Sequence, residues 1–183
     1  GGGGDGAFRV TAGVGGELSR FDAAAASGFG IHDDGVATYL VDIGTREQKE
    51  RWLPGFCSGE LITAIAMTEP SGGSDLAALK STAVRDGDDW ILNGSKTFIT
   101  NGFQADLVLV AARTSPEKGA KGISLLGVET GMAGFERGRK LDKVGQEESD
   151  TAGLFFTDVR VPGANVLGAA DRGEGRAGLG IKV

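Results

Sequence analysis

Residues 66–78 read AMTEPSGGSDLAA, and their side chains form the first group in the chain that could do chemistry. Thr68 and Ser74 bring hydroxyls, while Gly72 and Gly73 let the backbone fold back so that its N–H groups approach a bound anion. Such a set suits a pyrophosphate joined to a polar heterocycle. An ordinary Pro/Gly connection capped by Asp75 fits the composition equally well. The segment is no dinucleotide fingerprint, because it has no G-x-G-x-x-G and no strand–helix context for one. A second candidate is KTFITNG at 96–102. Phe98 there offers a flat face to a planar ring, and Thr100 a donor or acceptor on the same side of a strand. The competing reading is a half-buried strand with Phe98 in the core.

Other reactive types offer less. His32 is the only histidine, so neither a His-rich metal site nor a Ser–His triad is supported. With Asp33 and Asp34 beside it, a solvated helix surface is expected. Cys57 follows a helix end and reads as a packing residue. Arg137, Arg139, Lys140 and Lys143 are interspersed with Glu136 and Asp142 and read as a solvated edge. Lys118 and Lys121 lie in a Gly-containing loop and read either as phosphate contacts or, as surface lysines usually are, as residues with no specific role.

The elements that must hold these groups fall into two regimes. Up to about residue 56 the pattern is helical, with Leu18, Phe21 and Ala25 at helical spacing and a second apolar stretch through Val36, Tyr39, Leu40 and Ile43. Ser27, Gly28 and Gly30 should loosen the chain between them. Thr45 and Gln48 have capping-box spacing, and the helix they open should stop at Leu53 before Pro54-Gly55. From residue 61 the period becomes two. Strands are predicted over 61–67, 81–85, 90–92, 107–112, 123–129 and 154–160. Turns are expected at 86–89 and at Asn93-Gly94. Several short strands joined by turns read as an antiparallel sandwich or barrel. Residues 169–183 are glycine-rich and lack a helix or strand period, so a frayed, disordered end is expected.

Composition sets outer bounds. The 183 residues are 40% hydrophobic and 24% charged, as in ordinary globular proteins. A net charge of −6 argues against general affinity for nucleic acid or anionic membranes. One cysteine excludes an internal disulfide framework and fits a reducing cytoplasm. No run approaches the roughly 20 apolar residues of a membrane helix. The start at Gly1 reads as a cut through a larger protein, or as an expression scar.

Taken together, these segments resemble the acyl-CoA dehydrogenase family. AMTEPSGGSD at 66–75 is similar to the family's first signature motif, with Ala78 at its small closing position. WILNGSKTFI at 90–99, KGIS at 121–124, GRKL at 138–141 and FFTDVRVP at 155–162 follow in the family's order and spacing. Upstream, GTREQK at 44–49 and WLP at 52–54 are similar to the helix preceding its middle domain. The likeness runs from about residue 2 to 168 and leans toward the long-chain-like branch.

The resemblance implies an α+β protein. It comprises a partial N-terminal helical domain over 1–60, an antiparallel β-sandwich or barrel middle domain over 61–168, and a divergent tail over 169–183, with the C-terminal helical domain absent. FAD would lie between the β domain and those missing helices. The flavin-binding positions carried over are Ile65, Ala66, Met67, Thr68, Glu69, Pro70, Ser71, Gly72, Gly73 and Ser74, chiefly Thr68, Gly73 and Ser74. Phe98, Ile99 and Thr100 join them, with Phe98 stacked on the isoalloxazine and Thr100 near flavin N5. Ser74 would also touch acyl-CoA, Ala120 and Lys121 would reach its coenzyme A portion, and residues 29–36 would approach the pocket floor.

The implied reaction is removal of the α-proton of an acyl-CoA by a carboxylate, with hydride passing to the flavin to give a trans-2-enoyl-CoA, as in fatty-acid β-oxidation. An electron-transferring flavoprotein would reoxidise the flavin, and the full protein would be a homodimer or homotetramer of the cytoplasm or the mitochondrial matrix. The family's base is a Glu of the C-terminal helical domain, and no residue here matches it, so the catalytic residue is unassigned and the fragment is expected to be inactive alone. Glu174 has the wrong neighbours, the Gly-Phe pair expected after Gly168 is missing, and Gln146-Glu147-Glu148 is more acidic than usual. The alternatives are a non-catalytic flavin- or CoA-binding or interaction module and an acyl-CoA oxidase.

Overall fold

The computed structural model describes residues 8–168, so the glycine-rich end and Glu174 lie outside the described residues. Helix α1 (Phe8–Phe21) runs into Asp22, whose carboxylate accepts the Ala24 amide at 2.7 Å and caps α2 (Ala23–Gly30). The expected loosening at Ser27-Gly28 does not break the helix. A wide π-type turn, Ile31–Val36, carries it directly into α3 (Ala37–Ile43). There the Gly28 carbonyl accepts the Asn101 side-chain amide at 3.1 Å. A Cβ at Gly28 would meet Asn101 Oδ1 at 3.1 Å, so glycine permits this close approach.

Helix α4 (Arg46–Ser58) opens with the expected capping box: Gln48 N–H donates to Thr45 Oγ1 at 3.2 Å, and Thr45 N–H to Gln48 Oε1 at 3.0 Å. It does not stop at Leu53. Pro54 sits inside it, and the helix ends only at Gly59, whose φ of 80° suits glycine. Interior proline costs about 3 kcal/mol. Burial of Trp52 and Phe56 on either side of the proline outweighs that cost.

Among the described residues seven strands follow: β1 (Thr63–Ala66), β2 (Thr82–Asp86), β3 (Asp89–Thr100), β4 (Leu107–Arg113), β5 (Ile123–Glu129), β6 (Phe135–Lys140) and β7 (Thr151–Pro162). They form one curled sheet in the order β1-β4-β2-β3-β7-β6, with β5 on β4 as well. The α+β order and most of the antiparallel pairing agree with expectation. The sheet is nevertheless mixed, because β1 runs parallel to β4, and β2 meets the end of β4 in parallel at Thr82 and Arg113. Strand β4 is buried on both faces, as a strand in parallel pairing requires. Leu107, Leu109 and Ala111 pack in the cluster that holds Leu40, Trp52 and Phe56, whereas Val108, Val110 and Ala112 pack inside the curl of the sheet.

One local turn expectation fails. Asn93-Gly94 is not a turn but lies mid-strand in β3, at a bulge against β7. Asn93 is held there by Asp158, which accepts its side-chain amide at 3.0 Å and returns a backbone N–H at 2.9 Å. The other expected turn, at 86–89, is present: Gly87-Asp88 closes the β2–β3 hairpin between paired Asp86 and Asp89. The basic stretch around Arg137 is itself a strand, β6, at the sheet edge; its charges guard that edge against pairing with another chain.

Candidate functional site

The site is built where the segment leaving β1 meets the second half of β3. After Ala66 the chain forms a tight turn in which Glu69 and Gly72 exchange backbone hydrogen bonds, both 3.0 Å. Thr97 N–H donates to the Thr68 carbonyl at 2.9 Å, joining this turn to β3. The Lys96 ammonium adds two bonds, to the Met67 carbonyl at 3.0 Å and to Glu69 Oε1 at 2.9 Å. Glu69 in turn accepts the Lys80 amide at 2.6 Å and the Ser81 amide at 2.9 Å. Burial opposes ionisation of Glu69 most strongly. Hydrogen bonds from Ser81, Lys80 and Lys96 overcome it and hold the carboxyl down at about 2. Burial also pushes the Lys96 ammonium below its ordinary range, and Glu69 only partly offsets this.

Just past Lys96 the β3–β7 register shifts, and Thr97 and Phe98 have no partner across the bulge. Phe98 takes a φ of 57°, a left-handed conformation costly for a bulky side chain, and its ring is 67% exposed. The core reading of Phe98 is thereby excluded. The simple alternation that would put Phe98 and Thr100 on one side is also interrupted, since Lys96 and Ile99, three residues apart, are both buried. Thr68 and Thr100 are half-buried, and Ser71, Gly72, Gly73 and Ser74 are exposed. Among the described residues the backbone amides of Gly73 and Ser74 find no acceptor. A Cβ on Gly73 would come within 3.2 Å of Thr68 Cγ2, so this position too needs a small residue. Hydroxyls, free amides and an exposed ring on the strand joined to their loop fit a flat heterocycle bearing phosphates.

The structure thus brings together residues 65–74 and 96–100. Lys121 is exposed. Its short helical segment, Pro116–Gly122, which includes Ala120, lies against Leu76–Ala78. Arg113 anchors that neighbouring turn by donating to the Leu79 carbonyl at 2.7 Å and to the Ala77 carbonyl.

Sequence reasoning missed the role of Lys96. The signal was present: Trp90 and Leu92 point inward, so even spacing puts Lys96 on the same buried face. His32 is a correction, for it is no solvated residue. Its ring stacks on Phe56 with centroids 3.8 Å apart, and its nitrogens lie 2.8 Å from Thr63 Oγ1 and 3.1 Å from the Phe56 carbonyl oxygen. Cys57, expected to pack, is exposed. Phe29 and His32 line a cleft of about 380 Å³ with Asn101, Gln104 and Asp150, whereas Val36 is fully buried in the core. Among the described residues no helix is long and apolar enough to cross a membrane, and no group of three His, Cys, Asp or Glu could hold a metal ion.

A helical segment packed on a curled mixed sheet, with a polar glycine turn fastened to a bulged strand, defines an α+β unit with a candidate ligand site. Two family profiles cover nearly all of it: "Acyl-CoA dehydrogenase, N-terminal domain" over residues 1–60 and "Acyl-CoA dehydrogenase, middle domain" over 64–159. The mouse (Mus musculus) mitochondrial long-chain specific acyl-CoA dehydrogenase is 48% identical over 93% of this chain and 40% of its own length. The isovaleryl-CoA dehydrogenase of Pongo abelii is 43% identical over 86% of this chain and 38% of its own. The crystal structure of an acyl-CoA dehydrogenase from Geobacillus kaustophilus superposes with a TM-score of 0.88 at 52% identity, covering 91% of this chain and 44% of that one. The chain belongs to the acyl-CoA dehydrogenase family. It spans about 40% of the length of the curated relatives it matches.

Proposed function

We propose that this chain supplies the flavin cradle and part of the acyl-CoA surface of an FAD-dependent enzyme that converts acyl-CoA thioesters to trans-2-enoyl-CoA in fatty-acid β-oxidation. The observation that carries this reading is the Thr97–Thr68 backbone bond, which joins the 66–74 turn to the strand residue next to Phe98, whose ring is exposed. Residues 65–74, most of all Thr68, Gly73 and Ser74, would hold the ribityl-pyrophosphate, and Phe98, Ile99 and Thr100 the isoalloxazine. Bound flavin supplies the acceptor for the substrate's β-hydride. Ser74, with Ala120 and Lys121, would meet the acyl-CoA. Its α-proton would leave to a carboxylate that we assign to no residue of 8–168, so this chain by itself should turn over little substrate.

In the same reading residues 1–60 form part of a helical domain and 61–168 the β domain. The whole protein would be a homo-oligomer of the cytoplasm or mitochondrial matrix, reoxidised by an electron-transferring flavoprotein. Similarity to both long-chain and isovaleryl enzymes leaves the acyl group open.

Titration of FAD into the chain, followed by flavin fluorescence and absorbance, tests the cradle. Saturable binding that Phe98→Ala or Thr68→Ala weakens is the expected result, and no binding by the wild-type chain overturns it. A dye-coupled assay with long-chain acyl-CoA tests the missing base, since appreciable turnover would place the base within this chain.

A further inference from the structure

The Glu69–Lys96 pair is an expensive way to fill a core. The Lys96 side chain is wholly buried and that of Glu69 is 4% exposed, and two charges taken out of water recover that cost only through good mutual geometry and further hydrogen bonds. Apolar side chains of similar volume would support the sheet as well or better. What they could not supply is direction.

The bonds of this pair have a specific layout. Lys96 holds Met67 and Glu69, at the start of the polar loop. Glu69 holds the amides of Lys80 and Ser81, at its end. One carboxylate therefore closes the loop on itself while the ammonium ties it to β3, two residues before the strained Phe98. Downstream of the bulge, Ile99 is buried and the Asn101 amide donates to the Asp150 carbonyl at 3.0 Å. Phe98 is thus pinned from both sides, and an arrangement over-determined in this way can keep an unfavourable φ.

We infer that Glu69 and Lys96 are a positioning pair: they hold the 70–79 loop in register with the β3 bulge, so that the amides and hydroxyls of the loop and the ring of Phe98 are in place before a ligand arrives. The inference rests on the flavin reading of this site for its purpose, but not for its geometry. Groups ordered in advance lose less freedom on binding, so the pair contributes to affinity without touching the ligand.

The double variant E69Q/K96M removes both charges at nearly constant volume and leaves no lone buried ion. Hydrogen exchange and thermal melting on the 183-residue chain, with FAD titration beside them, read the consequence. The expected result is a melting temperature near the wild-type value, faster exchange confined to residues 68–81 and 96–100, and FAD affinity lower by about tenfold. A purely structural pair would instead lower the melting temperature and leave exchange of the folded loop unchanged. That outcome, or wild-type exchange in the loop, overturns the inference.

Should the double variant fail to fold, Glu69→Asp serves. It keeps the charge but is too short to span both loop ends and Lys96, so it should loosen the loop, while wild-type exchange overturns the pair's role. If the wild-type chain binds no FAD, the flavin reading falls, and the exchange data still decide the positioning role.

Discussion

At the seam between α4 and β5 the buried groups are Trp52 and Phe56, and at the turn after β1 they are Glu69 and Lys96. The first region is closed by apolar contact. A Cβ on Gly127 would come within 2.9 Å of the Trp52 ring, whose N–H still reaches Glu129 at 3.2 Å, and Phe56 stacks on His32. Gln48 joins the cap of α4 to the chain leaving β7, donating 2.8 Å bonds to the carbonyls of Ala164 and Val166. The second region leaves its aromatic ring in solvent, holds a residue at φ 57°, and is fastened by charge and directed hydrogen bonds. The seam uses nondirectional packing, which stabilises whatever lies against it. The candidate site uses directed bonds, which stabilise one arrangement and leave polar groups of the loop exposed.

Removing a large side chain should damage the seam most. Trp52→Ala is expected to destabilise the chain by about 4 kcal/mol, from lost burial and the cavity left behind. Urea denaturation measures this, and a loss under about 1 kcal/mol would mean that the helices add little to the stability of the sheet.

Acid should single out the site. The Glu69 carboxyl lies at about 2 in the folded protein against 4.5 ordinarily, so its contribution is fully present above 4.5 and is lost as pH falls toward 2. Measured against a protonated Glu69 left beside buried Lys96, that contribution is on the order of 3 kcal/mol, a loss the neutral double variant cannot incur. The wild-type chain should therefore lose more stability over this range than E69Q/K96M. Parallel pH profiles of the two would remove charge from the account of the site.

The smallest effect, and the one of opposite sign, belongs to Phe98. Phe98→Gly should raise stability by about 1 kcal/mol, because glycine adopts positive φ without strain and little burial is lost. The same change should weaken FAD binding. A fall in stability would show that the exposed ring packs after all, and the contrast between the two regions would narrow.

Much of the scaffold was legible because its signals are local. The Thr45–Gln48 capping box lies within one turn, and Ile123–Glu129 forms a strand over the residues its pattern indicates. Failures came where distant residues override local chemistry. Pro54 reads as a stop, yet burial of Trp52 and Phe56 carries the helix past it. Asn93-Gly94 reads as a turn, yet Asp158, 65 residues away in sequence, holds it in a strand. No local pattern announces that β1 and β4 run parallel, since that depends on how the intervening hairpin is placed. The two halves of the site read as separate segments, each with a plain structural alternative, and only the family resemblance joined them.

By itself the sequence determined which groups the candidate site offers: the hydroxyls of Thr68 and Ser74, the glycines between them, and the ring of Phe98 downstream. It determined the family as well, through the order of its motifs. Tertiary structure alone decided that Glu69 meets Lys96, 27 residues on, and that Phe98 is turned out of the core by a bulge. The reason is physical: residue types and near-neighbour spacing are written along the chain, but the partner of a buried charge and the register of a strand exist only once the sheet has closed around them.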